Sequence, residues 1–120
     1  MSSEREGVLK VKSFEFALRI IKLYKYLIAE HREFILSKQL LRSGTSIGAL
    51  IREAEYAQSK ADFLNKLSIA LKEANETEYW LQLLNKSNFL SNKMFTSIHK
   101  DIQELLKLLI SSTKTIKANR

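Results

Sequence analysis

Apolar residues recur at spacings of three and four along most of the chain, which is the period of an α-helix. Four such segments can be read. The first opens at Ser13, a candidate N-cap, and runs to about Ala29. Phe14, Ala17, Leu18, Ile21, Tyr24 and Ile28 form one apolar row in it, and Phe16, Ile20, Leu23 and Leu27 form another on an adjoining face. Only Glu15, Arg19, Lys22 and Lys25 break the cylinder. An arc this wide exceeds the stripe that a single bundle buries. The surplus, assigned here to Phe16, Ile20, Leu23 and Leu27, is expected to meet another copy of the chain.

The second segment runs from about Arg32 to Tyr56, with Phe34, Leu36, Leu40, Leu41, Ile47, Leu50, Ile51 and Ala54 on its apolar side. "SKAD" at 59–62 opens the third, with Ser59 as cap and Asp62 near the positive end of the helix. This helix continues to about Lys86 on Phe63, Leu67, Ala70, Ala74, Thr77, Leu81 and Leu84. "NKSNFLSNK" reads as a turn, and Ser91 can cap a fourth helix carried by Phe95, Ile98, Ile102, Leu105, Leu109 and Ile116. Short connections make successive helices antiparallel neighbours. The pattern predicts an all-α, up-down-up-down antiparallel four-helix bundle over residues 13–117. A flexible segment, 1–12, is expected before it and a frayed tail, 118–120, after it. The competing arrangement is a three-helix bundle with one helix donated to another chain.

Composition supports long helices, since the chain has no proline and three glycines. At 45% hydrophobic and 28% charged residues it is balanced like a globular domain. Without cysteine it has no disulfide or thiolate chemistry, which fits a cytoplasmic location. No apolar run approaches the roughly 18–20 residues of a membrane span, and the first ten residues lack the apolar stretch of a secretion signal.

The net charge of +7 concentrates in the first and last helical segments, while the middle of the chain is neutral. A local basic excess suits an anionic partner such as RNA or DNA, and it also keeps a bundle in solution. Lys93, Lys100, Lys107 and Lys114 recur every seven residues, so on a helix they form one stripe that drifts by about 20° per step. Helices one and four are neighbours in a simple antiparallel bundle. Arg19, Lys22 and Lys25 can therefore merge with this stripe into one candidate nucleic-acid surface.

The run "LLRSGTSIGALIREA", residues 40–54, holds two of the three glycines, Gly44 and Gly48, one above the other on a helix face. Each costs roughly 1 kcal/mol relative to alanine inside a helix. Close approach of another helix, or a local bend, offsets that cost. A phosphate-binding loop is the alternative, but the run lacks the lysine and spacing such a loop needs and follows no strand.

Around this run, "FILSKQLLRSGTSIGALIREA" and "QSKADFLNKLSIALKEANETEYWLQLL" resemble the bacterial four-helix bundle proteins called 23S rRNA intervening-sequence proteins. The likeness spans roughly Phe14 to Lys117. Its pattern falls on Gln39, Leu40, Arg42, Ser46, Ile47, Ile51, Glu53 and Ala54, with Phe63 and the segment 70–73 also in agreement. Many members carry proline in place of Gly48 and asparagine in place of Leu50. The resemblance implies a homo-oligomer, most simply a pentamer. A related branch serves as accessory proteins of diversity-generating retroelements, similar pentameric barrels thought to bind RNA and a reverse transcriptase. Most of the family has no assigned activity.

Catalytic chemistry is hard to assemble from these residues. His31 and His99 are the only histidines and stand far apart, and neither has the glutamate three residues earlier that a di-metal bundle uses. Glu73 and Glu76 share a face but make only a weak cation site beside Lys72. No nucleophile–base pair appears at a recognisable spacing. The expectation is a non-enzymatic protein with no cofactor and no metal. Its partners are then other copies of itself, and RNA or DNA. The alternative is a protein–protein adaptor that binds no nucleic acid.

Overall fold

Four helices carry the chain in a computed structural model that describes residues 4–118. They are α1 (Glu4–His31), α2 (Leu36–Glu55), α3 (Lys60–Lys86) and α4 (Asn92–Ala118), with no strand among the described residues. Pairings between them run in opposite senses. Ser13 lies against Gly48 and Ile20 against Gly44, so α1 ascends as α2 descends. Glu53 pairs with Lys66 and Arg42 with Glu73, each at 3.3 Å, which sets α3 antiparallel to α2. His99 meets Glu78 at 2.8 Å across α3 and α4. Lys12 meets Glu104 at 2.9 Å, and Arg5 donates to Thr115 at 3.1 Å, which closes α4 onto α1. The result is an up-down-up-down bundle measuring 47 × 21 × 19 Å.

The helix ends follow local chemistry. Arg32, at φ 49°, turns the chain after α1. The half-turn that follows is organised by Glu33, whose buried carboxylate accepts the N–H groups of Ile35, Leu36 and Ser37. Ser59 caps α3 by accepting the Asp62 N–H at 3.0 Å, and Ser91 caps α4 by accepting the Met94 N–H at 3.1 Å. Asn88, at φ 71°, ends α3, and the Phe89 N–H returns to the Leu84 carbonyl at 2.8 Å in a Schellman closure.

Two expectations about α1 are corrected. The helix begins at Glu4, not at Ser13, so residues 4–12 are helical rather than a flexible lead-in. The cause is packing: Leu9 is almost wholly buried, and Ser13 lies inside the helix with its hydroxyl donating to the Lys10 carbonyl. Residues 1–3 of that segment, and 119–120 of the expected frayed tail, lie outside the described residues, and Ala118 is the last residue of α4.

The second correction concerns Phe16, Ile20, Leu23 and Leu27. They are not a free face for another copy but the core face of α1, at most 8% exposed. The row continues upstream through Leu9 and Ser13, giving it the length needed to cross the bundle. It meets Leu40, Ile47 and Ile51 of α2, Leu67, Leu81 and Leu84 of α3, and Ile102, Leu105 and Leu109 of α4 in one core.

Candidate nucleic-acid interface

The core face of α4 is apolar from Ile98 to Leu109, so its charges are driven to the opposite side. Ile98, Ile102, Leu105 and Leu109 are buried, whereas Lys93, Lys100, Lys107 and Lys114 are exposed. None of these four lysines makes an ion pair within the described residues. They form an open cationic ridge along the bundle.

The α1 cations relate to that ridge in different ways. Arg19 crosses the seam to α4, donating to the Ser97 carbonyl at 3.3 Å, to the Ser97 hydroxyl at 2.8 Å and to Asp101. It thus reaches α4 between Lys93 and Lys100, but Asp101 offsets its charge. Lys12 is matched in the same seam by Glu104, and that hydrogen bond, with the glutamate's charge, raises the lysine's pKa. Lys22 and Lys25 are exposed and make no ion pair among the described residues. Lys22 lies one turn beyond Arg19, towards the level at which α4 begins. A strip of matched charge therefore runs along the seam, and the unmatched cations are Lys22, Lys25 and the α4 lysines.

Gly44 and Gly48 both face α1. A β-carbon built at Gly44 would stand 2.8 Å from Cγ1 and 2.9 Å from Cγ2 of Ile20. At Gly48 the nearest atoms are the carbonyl oxygen and Oγ of Ser13, both at 3.4 Å. The hydroxyls between the glycines fold back on α2 itself: Thr45 donates to the Leu41 carbonyl at 2.7 Å and Ser46 to the Arg42 carbonyl at 2.6 Å. This backbone is helical throughout, with no positive φ at either glycine.

An apolar row that the sequence reading assigned inward is exposed. Phe14 is 52% and Leu18 54% exposed, and with Val11 and Ile21 they line the side of α1 opposite its core row. Arg52 of α2 sits over the Phe14 ring at 5.7 Å. The spacing 11, 14, 18, 21 is that of a coiled-coil seam and was visible beforehand. With Ala17, Tyr24 and Ile28 its residues make the richer of the two α1 rows, which is why it was assigned inward.

On the other side of α2, Arg42 binds Glu73 and Glu76, and the Trp80 indole N–H donates to Glu76 at 3.0 Å. The two glutamates are thus held by an arginine. The Trp80 hydrogen bond is the main cause that holds the Glu76 carboxyl below the usual carboxylate range; burial opposes it, and the hydrogen bond and charge of Arg42 add to it. Because the folded value is depressed, this contribution is fully present above the unfolded value of about 4.3 and is lost as pH falls through the folded value. Trp80 is the only tryptophan, so its fluorescence should report that loss with a midpoint below about 4.3. Glu76→Gln should abolish the transition, and a wild-type midpoint above that value would contradict the assignment.

Both histidines are held by neighbours. His99 binds Glu78 and stacks on Phe95, while His31 bonds the Tyr26 hydroxyl at 3.1 Å and packs edge-on to Phe89. Among the described residues no group of three or more histidine, aspartate or glutamate side chains is placed to hold a metal ion. No helix among them is long and apolar enough to cross a membrane.

Residues 7–111 match the family described as 23S rRNA-intervening sequence protein. The chain belongs to that family. A crystal structure of a protein of unknown function from the S23 ribosomal protein family of Bacteroides thetaiotaomicron is 61% identical. It aligns over 92% of this chain and 98% of that one, with a TM-score of 0.90. Comparison with curated proteins gave no match. The family match includes the α2 glycine run and the Arg42–Glu73–Glu76 cluster, and extends through α4 to the turn before Lys114.

Proposed function

We propose that this member of the family is a non-enzymatic, cytoplasmic, homo-oligomeric scaffold that binds RNA or other nucleic acid through the outward face of α4. The observation that carries the reading is the ridge of four exposed lysines with no ion pair among the described residues. Phosphate groups are the natural partners of such a row, and their contacts carry little direct sequence information. The exposed row Val11, Phe14, Leu18 and Ile21 supports self-association, with a pentamer as the state implied by the resemblance. A ring would repeat the ridge in each subunit, so that weak phosphate contacts act together.

The test is fluorescence anisotropy with labelled RNA and DNA at several salt concentrations, on protein whose mass is measured by sedimentation. Replacing Lys93, Lys100, Lys107 and Lys114 with glutamine should leave the fold intact, because solvated lysines add little stability. Affinity should fall for all sequences and its salt dependence should flatten. Unchanged affinity would clear the ridge of this role, and a monomer at tens of micromolar would remove the ring. The apolar α1 row favours one second reading, an adaptor for a protein partner. Wild-type protein that binds no nucleic acid even at low salt would support it.

A further inference from the structure

The end of the bundle where α1 and α3 finish and α2 and α4 begin carries an apolar tip. Phe34 and Ile35, the last residues of the α1–α2 turn, are 57% and 76% exposed. The turn itself is tied down. Glu33 accepts the N–H groups of Ile35, Leu36 and Ser37, and Arg32 ahead of it holds a left-handed conformation. The fold does not need apolar residues here. Ile35 stands at the N-cap of α2, where serine, threonine, aspartate or asparagine is the stabilising choice. Phe34, one place earlier, could form a hydrophobic staple only with an apolar residue at the fourth helical position, and that residue is Gln39. Two large apolar side chains are thus held in solvent by a fixed backbone.

The charge around the tip is mostly of one sign. Arg32, Lys38, Lys86 and Lys93 lie within one helical turn of this end, are exposed, and make no ion pair among the described residues. The first turns of α2 and α4 hold no acid. Glu30 is the one exposed acid at this level among the described residues, since the Glu33 carboxylate is buried on the α2 amides. An anionic surface complements these cations, and the tip narrows the choice of surface. Two side chains bury far less than the roughly 800 Å² per partner of a specific protein interface. Ile35, the more exposed of the two, has no flat face on which a base could stack. A lipid surface needs no matched shape: apolar side chains enter the boundary between headgroups and acyl chains, and neighbouring lysines and arginines meet the headgroups. We propose that the Phe34–Ile35 tip docks the bundle, end-on and reversibly, on an anionic lipid surface. The patch shares Lys93 with the ridge but does not depend on nucleic-acid binding.

Cosedimentation of the full chain with vesicles of phosphatidylcholine, alone or mixed with phosphatidylglycerol, tests this. Binding to the mixed vesicles should be roughly tenfold stronger or more, and should weaken as salt rises. Replacing both tip residues, Phe34→Asn with Ile35→Asn, should weaken it by a further factor of about ten. The same protein should melt no lower than wild type, because both side chains are already in solvent and asparagine suits the N-cap. Arg32→Gln, Lys38→Gln and Lys86→Gln should each weaken binding about fivefold. Mixed vesicles that carry down no wild-type protein at low salt would overturn the proposal. So would binding that the double variant leaves unaltered, since the lysines alone would then account for it. Loss of labelled-RNA affinity in the double variant would make the tip a nucleic-acid contact. A smaller assembly by sedimentation would make it a contact between copies. Either result overturns lipid docking too.

Discussion

Gly44→Leu is expected to destabilise the protein by about 3 kcal/mol, the upper part of the usual range for overpacking. Even a bare β-carbon at this position falls within 3.0 Å of two carbons of Ile20. Those carbons have little freedom to move. Ile20 is fully buried, and its β-branched side chain has one strongly preferred rotamer in a helix. Leucine adds three further carbons to the collision, and α1 must move away from α2. Gly48→Ala should behave in the opposite way. Its new carbon would meet Ser13 at ordinary contact distance, and alanine regains roughly 1 kcal/mol of helix preference. Thermal unfolding followed by circular dichroism compares the two directly. A Gly44→Leu protein as stable as wild type, or a Gly48→Ala protein that melts far below it, would mean that the α1–α2 seam is not as tight as described.

Glu33→Ala is the second large effect, with an expected loss of about 2 kcal/mol. Ile35 occupies the N-cap position of α2 and makes no side-chain cap. Glu33 supplies what Ile35 lacks. Its two oxygens accept the N–H of Ile35 at 2.9 and 3.0 Å, and they also reach Leu36 and Ser37. Ser37 returns a bond from its hydroxyl to the Glu33 carbonyl at 2.6 Å. Alanine leaves these donors without their side-chain partner, and that of Ser37 belongs to a fully buried residue. It also removes a negative charge from the positive end of the helix. Glu33→Gln keeps one acceptor and loses the charge, so it should fall between wild type and alanine. Equal melting points for all three proteins would show that water replaces the carboxylate without cost.

Glu33 also shows where the sequence could not be read. A glutamate two residues before the N-cap is not a recognised cap, so α2 was expected to start at Arg32, with no break between the two helices beyond a residue or two. The break is made by a non-glycine residue in a left-handed conformation, which leaves no compositional trace. Ser59 and Ser91, by contrast, stand in standard capping positions and marked α3 and α4 to within a residue. The two apolar rows of α1 were both visible, but their assignment was reversed. Periodicity ranks faces by richness, whereas burial depends on length and on the opposing surface. The row through Leu9, Phe16 and Ile20 is longer and lies over Gly44. The lysine ridge was legible because a seven-residue repeat needs only a helix to become a stripe.

The seam between α1 and α4 has one more consequence. It joins the two ends of the chain, whereas the other three contacts join successive helices across short loops. Closing it carries the largest loop-entropy cost, and its visible ties are exposed ones: Lys12–Glu104, Arg19–Asp101 and Arg5–Thr115. Exposed pairs of this kind hold weakly and are screened by salt. The bundle should therefore breathe along this line, with the amides of the first turns of α1 and the last turns of α4 exchanging with solvent hydrogen sooner than those of α2 and α3. Ionic strength, acting on a few surface charges, then sets how often the protein opens on the side where its first and last helices meet.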